Sequence, residues 1–170
     1  MRDGKRFLPF ILTAALVVVD QISKVLVMKF IPLNSIGCKL FGDFLIICHV
    51  RNTGAAFSLG AGSSAFLRVL VFIVLPAALM VLLCWLVATR KEILTKTQRW
   101  FVAGIAGGGI GTLVDRIIRF DEGVVDFISV KFYGLFGLER WPTFNLSDSF
   151  VVVFTILFAI SVIFSKEKKK

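Results

Sequence analysis

The chain has 170 residues, of which 57% are hydrophobic and 18% are charged, and its mean hydropathy is +0.88. Soluble domains average about 45–50% apolar and about 25% charged residues, so this composition excludes a soluble enzyme, a disordered chain and a basic nucleic-acid module. It indicates an integral membrane protein. The net charge of +9 does not imply nucleic acid, because the basic residues gather at the ends of the apolar segments.

Four segments are apolar and long enough to cross a bilayer as helices, which takes about 20 residues. The predicted spans are residues 7–28, 69–88, 100–118 and 145–164. Pro76 is predicted to kink the second span. Basic residues precede the first span, separate the second from the third and follow the fourth, so we expect both termini in the cytoplasm and segments 29–68 and 119–144 on the outer side. We expect residues 1–170 to form one integral membrane domain.

The first span is predicted to be an uncleaved anchor. Its basic start fits a secretory signal peptide, but no small-residue cleavage site follows its apolar core cleanly. The polar residues Asp20 to Lys24 also interrupt that core. We therefore expect the chain to keep this span.

The two outer segments contain strand-like runs at 44–50 and 123–130, and the turn residues 52–54 follow the first run. We expect an all-α membrane fold with a small sheet or hairpin at its outer surface. Cys38 and Cys48 share the first outer segment and could form a disulfide, although no spacing requires it. With a single histidine and no CxxC or HExxH motif, a metal site is not expected.

Polar residues collect at one depth of the predicted bundle. At a rise of 1.5 Å per residue, Asp20 lies about 20 Å along the first span, and Asp115 and Arg116 lie about 22–24 Å along the third. Asn145 and Asp148 begin the fourth span at the same outer boundary. Ionisable groups at membrane depth are costly and are usually functional. Because the inner halves of the spans are nearly free of charge, this pattern predicts a site open to the outer leaflet.

Asp126 and Asp148 form the candidate catalytic pair. The first follows the third span and the second opens the fourth, and the outer ends of consecutive antiparallel spans can be neighbours. Two carboxyl groups in close proximity share one proton, so one can activate a water molecule while the other protonates a carbonyl oxygen. The alternative is a helix cap at Asp148 and a loop turn at Asp126.

Two further charged pairs have a structural and a functional interpretation. Asp20 and Lys24 are spaced i,i+4 on one helix, so they can bind each other, or they can contact a substrate or scaffold in the outer leaflet. Asp115 and Arg116 can form a local pair or connect to another span. Arg116 can also hold the orientation of a catalytic carboxylate.

Small residues provide two more motifs. The run from Asn52 to Phe57, a polar turn that leads into small residues, is either a simple hairpin turn or a place where an extended peptide approaches the backbone closely. The spacings Gly104-x3-Gly108 and Gly107-x3-Gly111 are typical of helix packing in membranes.

Five motifs in this order resemble those of one known family. They are DQISK at 20–24, RNTGAAF at 51–57, GGGIGTLVDR at 107–116, VVDF at 124–127 and FNLSDS at 144–149. Together with the four spans, they make the chain similar to the bacterial lipoprotein signal peptidases, or signal peptidase II, over nearly its whole length. That resemblance implies four transmembrane helices and a small periplasmic β-cradle.

The resemblance also implies an activity and a set of site residues. The family are aspartyl peptidases of the bacterial inner membrane, which cut the signal peptide from a prolipoprotein just before a diacylglyceryl-modified cysteine. By motif, Asp126 and Asp148 match the catalytic pair. The other matched positions are the supporting Asn52, Arg116 and Asn145, the substrate-proximal Gly54 and Gly108, and the first-span residues Asp20 and Lys24. Thr112 departs from the pattern, because the family usually has Asn there.

On this basis we expect a lipidated precursor to enter sideways from the outer leaflet, with inhibition by the cyclic peptide globomycin. We expect contact with membrane lipid, no cofactor, no metal, no nucleic acid and a monomer. Two other classes of membrane protein fit the sequence less well. A proton-coupled transporter would need polar groups through the inner leaflet, which is nearly bare, and a packing scaffold would not account for five polar motifs at one depth.

Overall fold

A computed structural model describes residues 6–54, 64–89 and 93–167. Its elements, in chain order, are α1 Pro9–Phe30, β1 Ile36–Leu40, β2 Leu45–Asn52, α2 Ala65–Thr89, α3 Lys96–Ile118, β3 Val124–Val130 and α4 Leu146–Glu167. All four helices are long and apolar enough to cross a membrane. The prediction of four spans with a small sheet is therefore confirmed, while residues 55–57 of the second motif lie outside the described residues.

The helices extend beyond the predicted spans where polar groups cap them. α3 begins at Lys96 because Thr95 and Gln98 form a reciprocal capping box, in which each side chain bonds the other residue's backbone N–H at 3.2 and 3.0 Å. Hydropathy alone does not detect such a start. In α2, the stretch before Pro76 is π-helical, from Leu70 to Val74. π-Turns are among the known causes of helix bending, and the kink at Pro76 stays a prediction.

The third helix is the centre of the bundle. In the most apolar 18 residues of α3, half of the residues are buried, whereas the corresponding share is 6% in α2 and in α4. α2 and α4 therefore present most of their surface to lipid. Its glycines permit this packing: Gly104 lies against the ring of Phe154 in α4, Gly107 lies against Leu16 in α1, and Gly109 faces α2. The spacing of small residues thus serves helix packing, as predicted.

The three strands form an antiparallel sheet in the order β1-β2-β3. The strand-like runs at 44–50 and 123–130 correspond to β2 and β3. β1 was not predicted, because its five residues are all exposed and show no alternating pattern. It pairs with β2 through a turn at Phe41 and Gly42, both with positive φ (53° and 76°).

Cys38 and Cys48 do not form the disulfide that the sequence left open. Both are free thiols; Cys38 in β1 is exposed and Cys48 in β2 is buried. In the strand register, Cys48 lies opposite Ile36, and Cys38 lies opposite Ile47. The two thiols are therefore not cross-strand partners.

The sheet packs on one end of the helical bundle. Val125 and Phe127 of β3 share a buried apolar cluster with Val27, near the C-terminal end of α1. The same end of the bundle holds the last turn of α3 and the first turn of α4, since β3 follows one and precedes the other. The polar ends of the helices and strand β3 thus meet in one layer.

Candidate active site

Asp126 lies inside β3, opposite Val50 of β2. It is part of a strand and not of a loop turn, and the residue is only 4% exposed. β2 carries a bulge at this point, because its register shifts between Ile47 and Val50. Bulges are frequent next to active sites, where they redirect a side chain.

Phe144 brings the start of α4 to the other edge of β3. Its N–H donates to Ile128 O at 3.0 Å, and Ile128 N donates back to Phe144 O at 2.8 Å. The next residue, Asn145, is fully buried and immediately precedes α4. This two-way bridge places the N-terminus of α4 beside Asp126.

Asn145 and Asp148 then form a reciprocal cap at that N-terminus. Asp148 N donates to Asn145 Oδ1 and Asn145 N donates to Asp148 Oδ2, both at 3.1 Å. This is the geometry of a capping box, with Asn and Asp in place of the usual Ser/Thr and Glu/Gln. Asp148 therefore does contribute to a cap, as the alternative interpretation held, but only one of its carboxylate oxygens takes part.

Two amides hold the carboxyl group of Asp126. Asn145 Nδ2 donates to Asp126 Oδ1 at 2.7 Å, and Asn52 Nδ2 donates to Asp126 Oδ2 at 3.1 Å. Burial, and after it the negative charge of Asp148, raise the pKa of Asp126 to about 6. The two amide hydrogen bonds and the charge of Lys24 oppose this shift. Asp126 can therefore hold or release a proton near neutral pH.

Arg116 fixes the segment that carries Asn52. Its guanidinium donates to the backbone oxygens of Asn52, at 3.0 Å, and of Gly54, and it lies 5.0 Å from the centre of the Phe72 ring. Gly54 N in turn donates to Asn52 Oδ1 at 3.1 Å, which leaves Nδ2 directed at Asp126. Arg116 thus acts on the carboxyl group of Asp126 through Asn52 and makes no direct hydrogen bond to it.

A cavity of about 490 Å³ opens over these groups. Five of the predicted site residues line it: Asn52, Arg116, Asp126, Asn145 and Asp148. Thr112 is also in its wall. The sequence therefore identified a set of residues that the fold brings together from β2, α3, β3 and α4.

A second, largely apolar cavity of about 430 Å³ lies on the other side of Asp148. Trp141, Phe144 and Asp148 belong to the walls of both cavities. Val152 and Val153 of α4 complete the apolar side. Sequence analysis did not find this groove, because its walls come from α4, β3 and the loop between them.

The other predicted residues lie outside the cavity wall. Gly108 packs against α4, where an added Cβ would lie 2.6 Å from Ser147 O. Asp20 and Lys24 form an ion pair at 2.7 Å, and neither side chain is exposed. This geometry favours mutual pairing over direct contact with a substrate. Asp115 binds Lys24 of another span at 3.0 Å and also pairs with Arg119.

No group of three or more His, Cys, Asp or Glu side chains in ranges 6–54, 64–89 and 93–167 is arranged to hold a metal ion. The polar side chains of the cavity are instead carboxyls, amides, threonine hydroxyls and one guanidinium. Such a set can exchange protons and donate hydrogen bonds to an oxyanion. It is suited to acid–base chemistry on a carbonyl group.

Comparisons with known proteins agree with this chemistry. The family model for signal peptidase (SPase) II matches residues 12–164. The chain is 47% identical over 164 residues to the lipoprotein signal peptidase of Treponema denticola, covering 96% of this chain and 93% of that protein. It is 43% identical over 166 residues to that of Treponema pallidum, covering 98% and 87%. A solved bacterial membrane enzyme shares the fold with a TM-score of 0.77 at 23% identity, covering 98% of this chain and 92% of that one.

Proposed function

This chain belongs to the signal peptidase II family, and we propose that Asp126 and Asp148 are the catalytic pair with which it cleaves lipid-modified prolipoproteins. It is a membrane-embedded aspartyl endopeptidase that removes the signal peptide before the lipidated cysteine. One observation carries the assignment: both carboxyl groups line one cavity, and a single amide side chain, that of Asn145, bonds to Asp126 and caps the helix turn of Asp148.

The reaction needs one proton shared between the two acids. The ionised carboxylate takes a proton from water as the water oxygen attacks the scissile carbonyl carbon, and the protonated acid donates to the carbonyl oxygen. Collapse of the tetrahedral intermediate re-forms the carbonyl and breaks the C–N bond. The acid that took the water proton passes it to the leaving amine of the cysteine, and the other carboxylate takes the proton of an intermediate hydroxyl, which restores the pair. Since the pKa of Asp126 is about 6, the pair can hold one proton near neutral pH.

The supporting residues hold this pair in place. Asn52 and Asn145 fix both oxygens of Asp126. Arg116 binds the backbone of Asn52, which lines the cavity, and the backbone of Gly54. Gly108 lets α4 approach α3 closely at the turn before Asp148, so its contribution is to the position of the catalytic residue.

The two cavities suggest how the substrate lies. We place the peptide around the scissile bond in the 490 Å³ cavity, which contains the polar groups, and an acyl chain of the diacylglyceryl group in the apolar 430 Å³ groove. Asp148 lies at the wall between them. A bond next to a lipidated cysteine would thus meet the carboxyl groups while its acyl chain stays in an apolar environment.

The proposal extends to the membrane location, the orientation and the oligomeric state. We propose a multi-pass protein of the bacterial inner membrane, with residues 1–170 acting as one domain and as a monomer, both termini in the cytoplasm and the cavity on the outer side. The basic residues at the opposite end of the spans support this orientation. We further propose that the cavity binds membrane lipid at its rim and that globomycin blocks it.

Purified protein with a diacylated precursor peptide tests the assignment. Asp126→Asn and Asp148→Asn should each lower the cleavage rate at least about 100-fold, because neither variant can complete the proton exchange. Asp121→Asn, which changes an exposed acid in the α3–β3 connection, is the matched control and should stay within about twofold of the wild type. Globomycin should inhibit the wild type. Near-normal cleavage by either catalytic variant would disprove the assignment.

A further inference from the structure

A fully buried charge network lies next to the catalytic pair. Lys24 Nζ is 2.7 Å from Asp20 Oδ2 and 3.0 Å from Asp115 Oδ2, and none of the three side chains is exposed. Asp115 also pairs with Arg119, which is 14% exposed. The four charges cancel, as buried ions require. The network joins α1 to α3, and it is not part of the cavity wall.

Both carboxylates of this network also bind the backbone next to the catalytic residues. Asp115 Oδ2 accepts from Val125 N at 3.3 Å, and Asp20 Oδ1 accepts from Ser147 N at 3.0 Å. Val125 directly precedes Asp126, and Ser147 directly precedes Asp148. At both catalytic positions, a buried carboxylate therefore binds the backbone N–H of the residue just before the catalytic aspartate.

We infer that the Asp20–Lys24–Asp115 network positions the two catalytic acids relative to each other. Both of its carboxylates bind the ammonium group of Lys24. Each carboxylate also accepts a hydrogen bond from the backbone N–H of the residue just before a catalytic acid. Asp20, Lys24 and Asp115 are then positioning residues that do not touch the substrate. This inference rests on the proposed function of Asp126 and Asp148.

The two catalytic acids need such positioning contacts because they lie on different elements of the fold. Asp126 belongs to a strand and Asp148 to a helix, and 21 residues of chain separate them. A shift of about 1 Å between reacting groups can cost roughly 100-fold in rate. The amide of Asn145 connects the two acids within the cavity wall, and the buried network, outside that wall, binds the backbone of the residue before each acid.

Replacement of Asp115 tests the inference. Asp115→Leu removes the acceptor for Val125 N, whereas Asp115→Asn keeps one oxygen that can accept it. Thr13→Val is the matched control, because it removes another buried α1–α3 hydrogen bond, from Thr13 Oγ1 to Ala103 O at 2.8 Å, at a distance from the catalytic residues. For each variant, kcat and KM are measured per folded molecule on the diacylated peptide, with thermal stability measured alongside.

We expect Asp115→Leu to lower kcat at least about 30-fold and Asp115→Asn about fivefold, with KM within about threefold. Thr13→Val should lose thermal stability with kcat within about twofold of the wild type. If Asp115→Leu does not fold, Asp115→Asn alone decides, by comparison with Thr13→Val.

A kcat for the Asp115 variants that equals that of the control would overturn the inference and leave the network a purely structural role. Failure of the proposed function would look different. In that case the wild type would not cleave the lipidated peptide, or Asp126→Asn would cleave it normally, whatever the Asp115 variants did.

Discussion

Asn145 Nδ2 donates a 2.7 Å hydrogen bond to Asp126 Oδ1, across the gap between the start of α4 and the middle of β3. The carbonyl oxygen of the same amide accepts from Asp148 N. One side chain therefore uses both ends of its amide group to hold the strand and the helix that carry the acids. Its removal should affect the helix cap, the hydrogen bonding of Asp126 and the rate together.

Asn145→Ala should lower kcat at least about tenfold and move the pH profile. The hydrogen bond from Asn145 lowers the pKa of Asp126, so its loss should raise that pKa above about 6. The profile of kcat/KM against pH should therefore shift upward. Ser64→Ala is the matched control, since it removes the side-chain cap of α2, at 3.3 Å from Leu67 N, and Ser64 lines neither cavity. An unshifted profile for Asn145→Ala would contradict this prediction.

The stability of the wild type should respond to the titration of Asp126. Burial raises its pKa from 3.8 to about 6, so between these values the folded state binds more protons than the unfolded state. The contribution of this group to the free energy of unfolding is then largest at low pH and is lost as the pH rises through about 6.

Because Asp126→Asn cannot ionise, its stability relative to the wild type should rise by up to about 3 kcal/mol between about pH 4 and pH 7.5. Thermal unfolding in detergent at several pH values measures the difference. Asp121→Asn, which changes an exposed acid in the α3–β3 connection, is measured alongside for comparison. A constant difference for Asp126→Asn would show that this carboxyl group has no raised pKa.

Gly108→Ala should reduce both stability and activity. The added Cβ would lie 2.6 Å from Ser147 O, so α4 must move at the turn that holds Asp148. Overpacking of this kind costs about 1–3 kcal/mol. Gly104→Ala is the matched control on the same helix, because its Cβ would meet the ring of Phe154 two turns further along α4. Gly108→Ala should lower both the thermal stability and kcat, whereas Gly104→Ala should lower only the thermal stability. Equal kcat values for the two variants would contradict this prediction.

Val152→Trp should fill the apolar groove beside Asp148. Loss of about 1 kcal/mol of acyl-chain burial corresponds to roughly a fivefold higher KM for a substrate with long acyl chains. The effect should be smaller for a peptide with short acyl chains. Val81→Trp, on a lipid-exposed face of α2 outside both cavities, is the control. The same KM change for long and short chains would exclude the groove as the acyl-chain site.

Several features followed from the sequence because they depend on local physics. Apolar length identified the four spans, and the rise per residue placed the polar groups of α1, α3 and α4 at one depth. Runs rich in β-branched residues identified β2 and β3. Asn52 and Asn145, matched by motif, do line the cavity with Asp126 and Asp148.

Other features depend on contacts between distant parts of the chain, which only the tertiary structure decided. β1 is defined by its pairing with β2 and has no pattern of its own. The sequence paired Lys24 with Asp20, its neighbour on the helix, but Asp115 is an equal partner from another span. Asp20 reaches Ser147 across 127 positions. Hydropathy and helical spacing describe one segment at a time, whereas the partner of a buried charge is selected by whichever segments pack around it.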